Sequence, residues 1–321
     1  MKKSTVKIAI TCFWPLLTAA GFTQIDPVKT VIIDAGHGIM PNGKYNGAKG
    51  SYSYEDEICL AIAKKLVVLL HAATPEIKVV EARPTKYIVG LKERANIANK
   101  AKGDLFISIH VNALPPLEHK ELAGYKKVIT YTGKGKKRIK HTTRMPEYRY
   151  YTTPNTSGKG TETYIWGAQK NEDKATAVRE NAAMLEEENY TEKYGDLDVN
   201  SPEFIALSLL KTKQYAQRST VLANMMEKEF SAIGRVSGGP RQRQVGIWVL
   251  QATAMPSILI ETGYITNPEE EAYLNSEDGQ QQIAQSIVKG LKNYIDYLTK
   301  KSISPAAVKN SIINDSIKSF K

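Results

Sequence analysis

Two histidines and two glutamates stand at or beside the ends of short apolar stretches. His37 lies in Val31-Ile-Ile-Asp-Ala-Gly-His-Gly38 and His110 closes Phe106-Ile-Ser-Ile-His110. Glu261 follows Ile258-Leu-Ile, and Glu55 lies in Tyr54-Glu-Asp-Glu57. The C-terminal ends of strands in a buried sheet are where side chains converge on one pocket. Two histidines and one carboxylate form a zinc ligand set that leaves a fourth position for water, and a further, unligated glutamate is the usual base beside that water. The chemistry on offer is metal-assisted hydrolysis. Each residue has a plainer reading when taken alone. Glu55 falls in the first turn of a helix, where the dipole favours a carboxylate without any metal. A buried imidazole at His110 needs a partner, of which metal is one option. Glu261 after three apolar residues needs a cation or a solvated pocket. The glycines around His37 allow close approach of backbone to a ligand, and Asp34 is placed to orient its imidazole.

The elements that must position these residues follow from periodicity. Lys29 to Asp34 reads as a buried strand. A helix starts near Ser53, which can cap it with Asp56 three residues on, and Ile58, Ile62, Leu66 and Leu69 share one face. Ile77 to Val80 reads as a second strand. Leu91 to Lys100 is expected to be helical, with Leu91, Ala95 and Ala98 inward. Asp104 to Val111 is apolar enough for a strand buried on both faces. This alternation of strands and helices predicts an α/β sheet. Pro115 to Gly160 breaks it with Lys, Arg, Tyr, Thr and Gly, and is too long for an ordinary connection. Within it Tyr125 to Tyr131 could pair as a hairpin strand, and Lys134 to Arg144 is the most basic run. Thr161 to Trp166 returns to a strand. Asp173 to Tyr190 reads as a polar helix and Pro202 to Phe230 as a longer one. Ile247 to Leu250 and Ser257 to Glu261 read as strands, and Ile283 to Leu298 as a last helix.

The 321 residues carry a formal charge of +11 with 24% charged and 42% apolar side chains, an ordinary globular balance with a basic excess. The excess suits acidic partners without choosing among nucleic acid, an anionic membrane and an anionic wall polymer. The first residues narrow the choice. Lys2, Lys3 and Lys7 precede an apolar run from Ile8 to Ala20, short for a bilayer span, and Ala19-Ala20-Gly21 offers small residues for cleavage. Residues 1–23 are therefore expected to be a signal peptide, with the mature protein in the periplasm or cell envelope, no nucleic-acid partner and no transmembrane anchor. Cleavage would remove three positive charges and leave Cys59 as the sole cysteine, which excludes an internal disulfide and a cysteine-based zinc site. The expected layout is a catalytic domain over 24–300, interrupted by an insertion at about 115–245, and a flexible tail over 301–321.

Taken together, the islands resemble those of the zinc-dependent N-acetylmuramoyl-L-alanine amidases, a family of cell-wall hydrolases. The matching stretches are Val31-Ile-Ile-Asp-Ala-Gly-His-Gly, Glu55 heading a helix that reads Leu60-Ala-Ile-Ala, and Arg94-Ala-Asn-Ile-Ala-Asn99. They continue with Asp104-Leu-Phe-Ile-Ser-Ile-His-Val-Asn-Ala113 and Met255-Pro-Ser-Ile-Leu-Ile-Glu-Thr-Gly-Tyr-Ile-Thr-Asn-Pro268. They run in the family order from about Lys29 to Leu298. The resemblance implies a single α/β domain with a twisted, mostly parallel central sheet flanked by helices and a large insertion before the last strands. It implies that His37, Glu55 and His110 bind one Zn2+ and that Glu261 is the catalytic glutamate. Glu55 keeps the spacing to Leu60-Ala-Ile-Ala, whereas Glu57 falls where the family tolerates other acids. Asp34, Arg94 and Asn112 are candidates for orienting substrate or for structural support. The implied reaction is hydrolysis of the amide between N-acetylmuramic acid and the L-alanine of the stem peptide in peptidoglycan. The competing class is a catalytically inactive amidase fold that binds or regulates at the wall. A monomer is expected, and an activator protein at the division site is a candidate partner. Some members of the family carry an inserted helix that occludes the zinc. Asp173 to Tyr190, with Glu186, Glu187 and Glu188, lies in that region and reads either as such a helix or as a solvated polar face.

Overall fold

The computed structural model describes residues 28–166, 202–243 and 248–303. The expected signal peptide, the helix at Asp173 to Tyr190 and nearly all of the expected tail lie outside the described residues. The chain divides into two compact units. One is Val28–Ile295; the other combines Met1–Pro27 with Asp296–Lys321, and of it only 296–303, the end of the last helix, is described.

In chain order the elements are β1 (Thr30–Ala35), α1 (Glu55–Ala73), β2 (Lys78–Glu81), α2 (Leu91–Lys100) and β3 (Leu105–Asn112). The hairpin strands β4 (Leu117–Thr132) and β5 (Ile139–Thr153) follow. Then come β6 (Thr161–Trp166), α3 (Pro202–Ala232), β7 (Ser237–Arg243), α4 (Trp248–Ala252), β8 (Ser257–Tyr264), α5 (Pro268–Asn275) and α6 (Glu277–Ile303). Six strands make one sheet in the order β2-β1-β3-β8-β6-β7. Pairing is parallel from β2 through β8 and between β6 and β7, while β6 runs antiparallel to β8. The expected mostly parallel α/β sheet is what forms.

Every residue of β1 and β8 is buried, as is β3 up to Ile109. Unbroken apolar runs are what a parallel sheet covered on both faces requires. Ile32, Phe106 and Leu259 from these strands share a core with Ala98 of α2 and Val249 and Leu250 of α4. Helix α1 packs on β1 and β3, and α3 on β6, β7 and β8. Cys59 is fully buried in α1, and burial pushes its thiol well above the ordinary pKa, so it is a packing residue.

Four local expectations need correction. Helix α1 begins at Glu55 with no side-chain cap. Ser53 is not its cap, because its Oγ donates instead to Glu271 at 2.7 Å. In α2 Leu91 is exposed and Arg94 takes the inward position with Ala95 and Ala98, since Arg94 finds buried carbonyls and a carboxylate to bond. Residues 248–252 are helical where Ile247 to Leu250 was expected as a strand; a four-residue apolar run carries no period that separates the two. The hairpin is far longer than Tyr125 to Tyr131, and β7 and α5 were not foreseen.

Candidate metal centre

Strands β1, β3 and β8 are adjacent and parallel, so their C-terminal ends open on one edge of the sheet. His37 follows β1 by two residues. His110 and Glu261 are direct register partners on β3 and β8. Helix α1 brings Glu55 to the same edge with its N-terminus.

The three expected ligands converge. Glu55 Oε1 lies 3.0 Å from His37 Nε2 and 3.1 Å from His110 Nδ1. One ligand atom from each residue falls within 4.8 Å of the others. Tetrahedral zinc with bonds of about 2.1 Å spaces its ligand atoms by roughly 3.4 Å, so this donor set fits the metal with small adjustments. The imidazoles meet edge to face, with centroids 4.8 Å apart. Burial works against the ionised Glu55, but the two imidazoles hold its carboxyl well below the usual carboxylate range. Burial likewise opposes a charged His37, and Glu55 outweighs it, so the imidazole pKa is raised. The pocket favours positive charge at the point where the three residues meet.

Close approach explains two glycines. A Cβ on Gly36 would come within 2.6 Å of the His110 ring, and one on Gly47 within 2.7 Å of His37 and 2.9 Å of Glu55 Oε2. His37 itself sits in the left-handed region at φ +63, a conformation that costs energy and clusters at functional sites. The surroundings hold it there. Arg94, 2% exposed, donates to the His37 and Ala35 carbonyls and to Asp34 Oδ1 at 2.7 Å. Arg83, equally buried, donates to the carbonyls of Ala35, Gly36 and Asp56 at 2.7, 2.8 and 3.0 Å. It thereby ties the His37 turn to the first turn of α1, next to Glu55.

Asp34 does not orient His37. Its oxygens accept from Arg94 and from Ser108 Oγ at 2.7 Å, because it is buried beneath the turn. The orienting group is Asn46, whose Oδ1 lies 2.7 Å from His37 Nδ1. With Nδ1–H donating there, the lone pair is left on Nε2, the atom that faces Glu55. Asn46 lies in a Gly/Asn/Lys loop with no periodicity to flag it. Arg94 is structural, while Asn112 is half-buried and donates to Glu162 at 3.4 Å.

Glu162 was also missed. It stands beside Glu261 in the register of β6 and β8 and is 8% exposed. Tyr164 donates to its Oε2 at 2.6 Å, and Arg241 pairs with Oε1 at 3.0 Å. Burial and Glu162 push the Tyr264 hydroxyl up to about 12. A carboxylate within Thr161-Glu-Thr-Tyr-Ile165 is the one sequence signal that pointed to it, since an acid in a buried strand needs partners.

A family model described as N-acetylmuramoyl-L-alanine amidase matches residues 31–293. The chain belongs to that family. It is 28% identical over 265 residues to AmiC of Escherichia coli O6:H1, covering 82% of this chain and 52% of the relative. Against AmiA of Salmonella typhimurium the identity is 26% over 288 residues, with coverage of 88% and 83%. This amidase-family chain therefore spans about half the length of AmiC and 58% of the Haemophilus influenzae AmiB relative. Among solved structures it resembles the catalytic domain of CwlV from Bacillus (Paenibacillus) polymyxa var. colistinus. That match has TM-score 0.50 and 25% identity, and covers 84% of this chain and 98% of that one. The fold is shared with the CwlD amidase of Clostridioides difficile, solved in complex with the GerS lipoprotein, at TM-score 0.53 and 19% identity, with coverage of 84% and 99%.

Proposed function

We propose that this chain is a zinc-dependent peptidoglycan amidase that hydrolyses the bond between the lactyl group of N-acetylmuramic acid and the L-alanine of the stem peptide. The observation that carries this reading is the meeting of His37, Glu55 and His110 within ligand distance at the sheet edge, with Glu261 directly across the register from His110. When bound, zinc would act as a Lewis acid that polarises the scissile carbonyl and lowers the pKa of a water. Glu261 is the base: it takes the water's proton and returns it to the leaving α-amine of alanine. Asn46 holds the His37 tautomer, and Arg83 and Arg94 keep the turn and the head of α1 in place. Arg241, half exposed beside the Glu162 carboxylate, offers a cation at the rim for a carboxylate of the stem peptide. Export by residues 1–23, to the periplasm or cell envelope, belongs to the same reading. So do a catalytic unit over 24–300 and an activator protein as partner. Among the described residues no helix is long and apolar enough to cross a membrane.

Metal analysis of purified variants tests the ligand set. His37→Ala and His110→Ala should each lose bound zinc, because two remaining ligands hold it far more weakly. Zinc retained at the parent stoichiometry in both variants would overturn the assignment.

A further inference from the structure

The hairpin of β4 and β5 is a two-stranded sheet of its own. Residues 117–153 hold ten Lys and Arg against three Glu, and thus a net charge of +7 out of the chain's +11. From Lys126 to Arg144 there are eight basic residues and no acidic one. Lysines on exposed edges guard strands against pairing with other chains, which accounts for charge. It does not account for the aromatic residues. The register pairs Tyr131 with Lys140, Lys127 with Arg144, Tyr125 with Pro146, Leu122 with Tyr148 and Lys120 with Tyr150. Side chains alternate along a strand, so these pairs all project from one face. Tyr125, Tyr131, Tyr148 and Tyr150 therefore share that face with Lys120, Lys127, Lys140 and Arg144. Tyr125 is 61% exposed and Tyr150 70%. From Tyr131 to Tyr150 the face runs about 30 Å at 3.3 Å per residue. Lys120 lies 4.0 Å from the Tyr148 centroid and Arg138 4.3 Å from that of Tyr131, which holds cations beside the rings.

We propose that this face binds the glycan strand of peptidoglycan and holds it across the metal centre. The proposal rests on the amidase reading for the identity of the polymer. Flat phenol rings offer apolar surface against which sugar rings lie, and the cations between them meet the free carboxylates of the stem peptides. Position favours this polymer. The hairpin leaves β3 five residues after Asn112 and returns to β6, which carries Glu162, so its base is rooted at the rim of the centre. Cations and rings are intermixed on one face, whereas a membrane-lying element separates an apolar face from a charged one.

The test uses the full chain, sedimentation with purified insoluble sacculi, and turnover of a soluble muramoyl peptide. Tyr125→Ala with Tyr150→Ala removes the two most exposed rings. Lys127→Gln with Lys140→Gln and Arg144→Gln removes charge while keeping strand-forming side chains, and guards against a hairpin that simply fails to fold without its tyrosines. Each set should weaken binding to sacculi at least tenfold and slow their digestion, with turnover of the soluble peptide unchanged. Binding by the parent should fall with added salt and remain in part at about 0.5 M, where charge is screened but stacking is not. Variants that bind sacculi as tightly as the parent would overturn the assignment. So would a parent whose hairpin-dependent binding is to anionic phospholipid vesicles or to single-stranded DNA and not to sacculi. A parent that binds sacculi through the hairpin yet cleaves neither substrate would overturn the amidase reading and leave the binding face standing.

Discussion

The chemistry of this chain rests on side chains whose orientation is set by neighbours with no catalytic character of their own. Asn46 is the clearest case, since its carbonyl oxygen selects which His37 nitrogen carries the proton. Partners of this kind contribute roughly 10- to 100-fold to metal affinity. Asn46→Ala should therefore weaken zinc binding by about that factor in a competition titration with a chromogenic chelator; unchanged affinity would remove Asn46 from the site. Glu261→Gln keeps the shape of the side chain but cannot accept a proton. Zinc content should stay at the parent value while turnover falls about 100-fold or more, as read by metal analysis and product release together. At this scale the residues that converge, His37, Glu55 and His110, were legible because histidine and glutamate at the end of apolar runs are costly without a partner. Asn46, Arg83 and Glu162 were not legible. Their partners at the site are 9 to 99 positions away in the chain: Asn46 reaches back to His37, Arg83 to Ala35 and Gly36, and Glu162 lies beside Glu261 only once β6 and β8 pair.

Between residue and fold stands the segment that delivers Glu55. The Glu271 carboxylate of α5 accepts from the backbone N–H groups of Ser51, Tyr52 and Ser53 at 2.9 to 3.0 Å and from both serine hydroxyls. It pins the approach to α1 from the far end of the chain. Burial opposes the charge on Glu271, but these donors hold its pKa below the ordinary carboxylate value. A carboxyl whose pKa is lower in the folded state stabilises the fold above its unfolded value of about 4.3, and that contribution is lost as the pH falls through the folded value. Glu271→Gln should cost roughly 2–4 kcal/mol at pH 7, and the gap to the parent in urea midpoint should close below about pH 4. A gap that is constant across that range would mean that the charge of Glu271 contributes nothing. The same element scale explains what sequence could resolve. β1, β3 and β8 announce themselves as continuous apolar runs, whereas the hairpin faces solvent on both sides and has no apolar period, so only Tyr125 to Tyr131 stood out.

Across the described residues, the six-stranded sheet that brings His37, Glu55 and His110 together and the cationic ribbon of β4 and β5 are separate sheets. Strands β4 and β5 pair only with each other among the described residues, so their stability is local and the sheet does not depend on them. Replacing residues 117–153 by a short Gly/Asn turn should leave the thermal midpoint within about 3 °C of the parent and preserve turnover of a soluble muramoyl peptide. A large fall in the midpoint would show the ribbon to be part of the scaffold. Metal-dependent cleavage of one particular amide is tested by mass spectrometry of the products from purified peptidoglycan, digested by zinc-loaded enzyme, by chelator-treated enzyme, and by the treated enzyme after zinc is restored. The expected products are intact stem peptides with a new free α-amine on L-alanine and glycan with a free lactyl carboxyl, abolished by chelation and recovered with zinc. Cleavage at a sugar–sugar or peptide–peptide bond, or the same products from metal-free enzyme, would contradict metal-dependent cleavage of that amide.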